Sequence, residues 1–169
     1  NMELALNQSI IDSVTYYIGN KYIILFLLSM LPVTELRLSI PIGIIIFKLS
    51  WVYVLIVCVI SNILAGVLLV VGLGRVISVC EKIPGIKVML KKMMVLSEKR
   101  YSKYERYKSK ALILFVGIPM PGTGAWTGSL ASHVLGLSKI SSILAIIQGV
   151  IISGVIMTLL SLSGKIIIG

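Results

Sequence analysis

The chemistry open to this chain centres on two side chains. Glu35 is the one acid inside its apolar stretches, and Arg37 is the one cation in the same interruption, PVTELRLSIP (32–41). An ionisable group at bilayer depth is costly and by default marks a functional site. Burial and a neighbouring guanidinium pull a carboxylate's proton affinity in opposite directions, so Glu35 is the candidate proton-exchanging group. Arg37 stays charged and presents a planar fork suited to phosphate or carboxylate, which makes it the candidate substrate-binding cation. The same pair could instead brace the loop, as an ion pair or by bonding backbone carbonyls that the break sets free.

A second interruption, PMPGTG (119–124), carries no charge. Gly122, Thr123 and Gly124 offer backbone N–H groups just before a helix start expected at about Ala125, the arrangement of an anion cradle. Trp126 either lines the same site or anchors in lipid. Gly124, Gly128, Ser132 and Gly136 form a small-residue stripe at helical spacing, expected to allow close packing. His133 flanks that stripe and is read as structural rather than as a proton relay. Asn62 and Gln148, one in each long apolar segment, are expected to hydrogen-bond freed loop backbone. Pro32, Pro41, Pro119 and Pro121 are expected to hold the interruptions open. No cluster of His, Cys, Asp or Glu has metal-ligand spacing, and there is no nucleotide fingerprint or Ser/His/Asp set. No metal, cofactor or enzymatic activity is therefore expected.

Composition indicates what surrounds these residues. Of 169 residues, 57% are hydrophobic and 13% charged, with mean hydropathy +1.05, whereas a soluble domain carries about a quarter of its residues as charges. So few charges cannot cover a water-facing surface, and the chain is read as one all-α integral membrane domain, residues 1–169. Lys and Arg number 16 against six acids, a formal charge of +10. Eleven of the 16 lie between Arg75 and Lys110, with Glu81, Glu98 and Glu105. That placement is a basic cytoplasmic loop under the positive-inside rule, not a nucleic-acid site. Within it Ile86, Met89, Leu90, Met93 and Met94 recur at helical spacing between Lys87, Lys91 and Lys92, as in an interfacial helix lying on anionic membrane lipids. Cys58 and Cys80 form no disulfide framework.

The elements that position the site repeat. Residues 1–20 hold an amphipathic interfacial helix, with Leu4, Ile10, Ile11, Val14, Tyr17 and Ile18 at helical spacing. The apolar run Tyr22–Leu31 is about half the ~20 residues a span needs and stops at Pro32. Trp51–Leu73 is a full span with Trp51 and Tyr53 at one end. After the loop, 75–110, the order recurs: Ala111–Ile118 is short, PMPGTG interrupts it, AWTGSLASHVLG forms a short helix and Ile140–Leu162 spans. The halves 22–73 and 111–165 each read as a re-entrant hairpin followed by one transmembrane helix. With one span per half, the halves start on opposite sides, giving an inverted repeat whose breaks meet near the midplane. Paired interruptions of this kind are the best sequence pointer to a transport site. The alternative is four spanning helices, two of them kinked at proline. On one continuous helix, however, Glu35 and Arg37 would point to nearly opposite faces and could not both avoid lipid.

LPVTELRLSIPIG (31–43) and PMPGTGAWTGSL (119–130) resemble the two signature segments of the small multidrug export protein family, which looks like a branch of the wider DedA/VTT membrane superfamily. The resemblance spans about residues 22–165. It implies two inverted re-entrant elements, each followed by a spanning helix. Glu35 and Arg37 match the family's E-x-R element. Pro119, Pro121, Gly122, Thr123, Gly124, Ala125, Trp126 and Gly128 match the second element. DedA relatives need an acid and an arginine, and members of them move undecaprenyl phosphate across the cytoplasmic membrane on ion gradients. They place an arginine in the second element, where this chain has none. The resulting expectation is an ion-coupled transporter or flippase of an anionic, phosphate-bearing lipid carrier of the polyprenyl phosphate type. It would sit in the cell membrane as a homodimer. Glu35 would exchange the proton, while Arg37, Gly122, Thr123, Gly124 and Trp126 would hold the head group. Two alternatives stand beside it: an exporter of small amphipathic compounds, and a non-transporting scaffold in which charge at 35 and 37 serves folding alone.

Overall fold

A computed structural model describes residues 20–80, 105–120 and 122–168. The interfacial helix expected over 1–20 (apart from Asn20), the amphipathic stretch 86–94 and Pro121 lie outside the described residues. Six α-helices carry the rest: α1 (Lys21–Met30), α2 (Glu35–Pro41), α3 (Trp51–Cys80), α4 (Glu105–Gly117), α5 (Ala125–Val134) and α6 (Lys139–Ile168). A π-helical segment, Ile42–Ile46, continues α2. No strand occurs among the described residues.

α3 and α6 each have 30 residues, about 45 Å of helix against about 30 Å of bilayer hydrocarbon. Their apolar windows, Trp51–Gly72 and Lys139–Gly164, have hydropathies of 3.0 and 2.5. What places them in a membrane, rather than in a water-soluble core, is the sorting of their side chains. Ile56, Ile60, Leu64 and Leu68 of α3 are exposed, as are Leu144, Ile151, Val155 and Leu159 of α6. Ser61, Asn62, Ser142, Ser153, Thr158 and Ser161 are buried. Water drives the opposite arrangement. Lipid tails are as apolar as leucine, so small and polar residues take the helix interfaces instead. Two of the buried hydroxyls bond within their own helix, Thr158 Oγ1 donating to the Gly154 carbonyl at 2.8 Å and Ser161 Oγ to that of Met157 at 2.7 Å, while Ser61 donates across to the Phe26 carbonyl of α1.

α3 runs on through Arg75 to Cys80, and α4 begins at Glu105. Both ends of the 75–110 stretch expected as loop are therefore helical. Once a helix is formed each added residue gains a bond, and Arg, Lys and Glu are good helix formers.

The short helices fold back on one another. At the start of α1 the Tyr22 N–H donates to the Asn20 side-chain oxygen at 2.9 Å. Around it Lys21 Nζ stands 5.6 Å over the Phe47 ring, and Tyr22 meets Tyr53 edge-on at 6.4 Å. A cation among aromatic rings is the signature of a membrane interface. Ten helical residues from Lys21 extend about 15 Å, about half of the bilayer hydrocarbon, and α1 stops before Pro32. The chain then doubles back. Leu25 Cδ1 lies 2.9 Å from the Cβ position of Gly43, although one continuous helix would hold these residues about 27 Å apart. The second break does the same: Lys108 Nζ on α4 donates to the Leu135 carbonyl beyond α5 at 2.8 Å, and Gly128 packs on Val116.

Pro41 corrects an expectation, since it does not hold the break open but lies inside α2. Its ring removes one helical N–H, and the wider π turn that follows, closed by Phe47 N–H donating to the Ile42 carbonyl at 2.9 Å, accommodates the misfit. Leu25, Ile40, Ile44 and Val54 of the first half and Leu112, Val116, Ile146 and Val150 of the second fill the core between the doubled-back pairs and the long helices.

Candidate functional site

The last carbonyls of a helix have no partner within it and must find one elsewhere. At the end of α1 the Thr34 hydroxyl donates to the Leu28 carbonyl, Asn62 Nδ2 to that of Ser29 at 2.9 Å, and the Trp126 indole N–H to that of Met30 at 2.9 Å. At the end of α4 the Thr123 hydroxyl lies 2.7 Å from the Ile118 carbonyl and 2.9 Å from that of Met120. Arg37 donates through Nη1 to the Met120 carbonyl and through Nη2 to Thr123 Oγ1, the latter at 2.8 Å. Each break is thus held by a side chain from the other: Trp126 on the first, Arg37 on the second.

These bonds follow a pattern visible in the residues. Laid without a gap, PVTELR (32–37) falls on PGTGAW (121–126). Thr34 then matches Thr123, and both bond back to the helix they follow. Arg37 matches Trp126, and each crosses to the opposite break. Glu35 matches Gly124, and these two touch: a Cβ on Gly124 would overlap the Glu35 carboxylate. Gly124 also has φ 156, in a region that only glycine populates readily, so it is required on two counts.

Glu35 has φ 43, an uncommon conformation for a residue with a side chain. That twist takes its carboxylate off the wheel of α2, so Glu35 and Arg37 converge where regular helical spacing would separate them. Glu35 Oε2 lies 3.9 Å from Arg37 Nη2. Glu35 is 6% exposed, and its Oε1 accepts the Trp126 backbone N–H at 3.3 Å. The carboxylate therefore caps the start of α5, with the sign that a helix N-terminus favours, while the Arg37 guanidinium holds the loop that follows α4 through Met120 and Thr123.

Of the residues singled out from sequence, the structure gathers Glu35, Arg37, Thr123, Gly124 and Trp126. Gly122, with φ 83, shapes the turn but is exposed, as is Pro32, and Pro119 is half-buried. Asn62 is buried and ties α3 to the end of α1, and its Oδ1 has no hydrogen-bond partner among the described residues. Gln148 is a correction. It is exposed, because Ala145, Ile146, Gly149 and Val150 take the inward face of α6, and it bonds no loop backbone among the described residues. Within the small-residue stripe Gly128 lies on Val116, and beside the stripe Ser129 Oγ reaches the Gly66 carbonyl at 3.1 Å. His133 is exposed near the far end of α5. Sequence reasoning missed the Leu28, Met30 and Met120 carbonyls and the role of Thr34. The repeated P-x-T was the available signal.

A family model described as "Putative small multi-drug export protein" matches residues 35–156. Neither a comparison with curated proteins nor one with solved structures finds a match.

Proposed function

Because the chain belongs to the small multi-drug export family, we propose that it is a transporter, not an enzyme, exporting small amphipathic compounds across the cell membrane with Glu35 as the proton-exchanging group. The observation that carries this reading is the position of Glu35: buried where the two breaks meet, with its carboxylate shared between the start of α5 and Arg37. Protonation removes the charge that holds Arg37 and weakens the bond from Trp126, so the two doubled-back elements part. Loss of the proton locks them again. Rocking of one repeat against the other about a central site is how inverted repeats alternate access.

The proposed architecture is an inverted repeat of re-entrant hairpins. In its support, α3 starts at the aromatic end and leads to the basic stretch, so α1–α2 opens on one side and α4–α5 on the other. The reciprocal reach of Arg37 and Trp126 is what a local two-fold axis would produce. The apolar outer faces of α3 and α6 leave room for a homodimer in lipid. This topology puts positions 9 and 168 outside the cell. Cysteines at Ser9 and Ile168, in a background without Cys58 and Cys80, are expected to label in right-side-out vesicles before permeabilisation. Labelling only afterwards would mean that every broken segment crosses.

A phosphate-bearing lipid carrier, the reading that DedA kinship would bring, is less well supported. The N–H end of α5 that would cradle the phosphate already faces a carboxylate, and Arg37 is bonded to Met120 and Thr123. Vesicles containing the protein separate the readings. Wild type is expected to move ethidium in response to an imposed pH gradient, and Glu35→Gln to lose that dependence while remaining folded. Movement of fluorescent polyprenyl phosphate but not ethidium would favour the lipid carrier. Movement of neither would leave the scaffold.

A further inference from the structure

Away from the breaks, the geometry points to an anion-binding site where α5 ends and α6 begins, one that takes a phosphate group. It is independent of the export reading. A cavity of about 80 Å³ lies there, lined by Ser129, Ser132 and His133 of α5, Lys139 and Ser142 of α6, and Val70 of α3. A single water needs only about 10–15 Å³ by the same kind of measure, so the space holds one tetrahedral anion but not a drug-sized molecule.

The lining chemistry selects the sign of the ligand. An ammonium and an imidazole face the cavity, and no carboxylate lines it. Neither Lys139 nor His133 makes a hydrogen bond or ion pair with any described residue, so both are available as donors. Ser129, Ser132 and Ser142 are buried. Their hydroxyls bond helix carbonyls at 2.6–2.9 Å, and a hydroxyl rotates to suit a new acceptor. Lys139 is also the first residue of the 30-residue α6, whose N-terminal end adds positive potential to the same wall although Ser138 already accepts the Ser141 N–H. Donors thus come from two helices, which suits an anion with several acceptor oxygens better than chloride. Leu137 and Val70 complete the lining, and Lys108 is bonded to the Leu135 carbonyl in the same α5–α6 connection. A lipid head group or free inorganic phosphate would present the same chemistry.

The test uses the full chain in two arms. In detergent, inorganic phosphate is titrated calorimetrically. In nanodiscs, retention of phosphatidic acid over phosphatidylcholine is read by native mass spectrometry. The comparison is wild type, the double variant His133→Gln/Lys139→Gln, and Lys110→Gln, an exposed cation outside the cavity. Both altered cavity residues are exposed, so the fold is expected to persist, as checked by circular dichroism. Loss of the ammonium and of the imidazole donor is expected to weaken binding about tenfold or more, while Lys110→Gln binds like wild type. The effect in both arms means that the site accepts the phosphate group from either source. In the nanodisc arm alone it identifies a lipid head group, and in the calorimetric arm alone a free anion. No binding in either arm, binding unchanged in the double variant, or an equal loss in Lys110→Gln overturns the site.

Discussion

Gly124→Ala is expected to cost more stability than any other single added methyl near the breaks. The new Cβ would fall on the Glu35 carboxylate, and the backbone would be held at φ 156. The backbone strain alone is worth about 1–3 kcal/mol. The displaced carboxylate also loses its bond from the Trp126 N–H and its approach to Arg37, where hydrogen bonds to charged groups are worth about 1.5–3 kcal/mol. The sum is a large part of the total stability of an ordinary domain, about 5–15 kcal/mol. A marked drop in the thermal midpoint in detergent is the expected reading. Gly122→Ala provides the contrast, because a Cβ there meets nothing within 4 Å and only the strain of φ 83 applies. The decisive arm is the double variant Glu35→Ala/Gly124→Ala. Removing the carboxylate removes the overlap, so the second change should cost less in that background by about 1 kcal/mol or more. Costs that simply add would mean that Glu35 does not pack against Gly124, and the proposed lock between the breaks would fall with that contact.

The lengths of the apolar runs, the prolines at 32 and 119 and the start of α5 at Ala125 were legible because each rests on local chemistry. The bonds that make the site were not. Arg37 meets Met120 across 83 residues and Trp126 meets Met30 across 96, and no local preference fixes such pairs. Glu35 and Arg37 diverge only on a helix of ordinary φ, and the positive φ at Glu35 has no sequence signature. Asn62 and Gln148 invited the same expectation, yet only Asn62 faces inward. In a soluble helix the apolar stripe would have told them apart. In α3 and α6 both faces are apolar, so periodicity is silent about rotation. Pro41 looked like a break because proline is a poor helix former, and the π turn behind it is a tertiary accommodation. The small residues of α5 were informative for the opposite reason: close approach to α3 and α4 demands small side chains wherever it occurs.

Arg37 is where bracing and substrate chemistry give opposite results. Arg37→Met removes one of the donors to the Met120 carbonyl, which keeps those of Thr123, takes one donor from the Thr123 hydroxyl and leaves the Glu35 carboxylate without its nearest cation. Breaking a fully buried pair costs about 3–5 kcal/mol. Here the arginine side chain is 17% exposed and the charges are 3.9 Å apart, so about 2–3 kcal/mol is expected, chiefly from the two hydrogen bonds. Arg37→Lys keeps the charge but not the fork, reaches one acceptor instead of two and should cost about 1 kcal/mol. Two cycles check the assignment. Arg37→Met with Thr123→Val should couple by about 1 kcal/mol, since each removes the same bond. Arg37→Met with Glu35→Gln should recover part of the loss, because the second change removes a carboxylate that the first leaves unpaired. Transport then distinguishes the roles. A bracing arginine predicts that Arg37→Lys moves ethidium at a rate that follows its folded fraction, with the half-saturating concentration unchanged. An arginine that holds substrate phosphate predicts wild-type stability and a raised half-saturating concentration for the polyprenyl phosphate. With the guanidinium already bonded to the second break, the first outcome is the expected one.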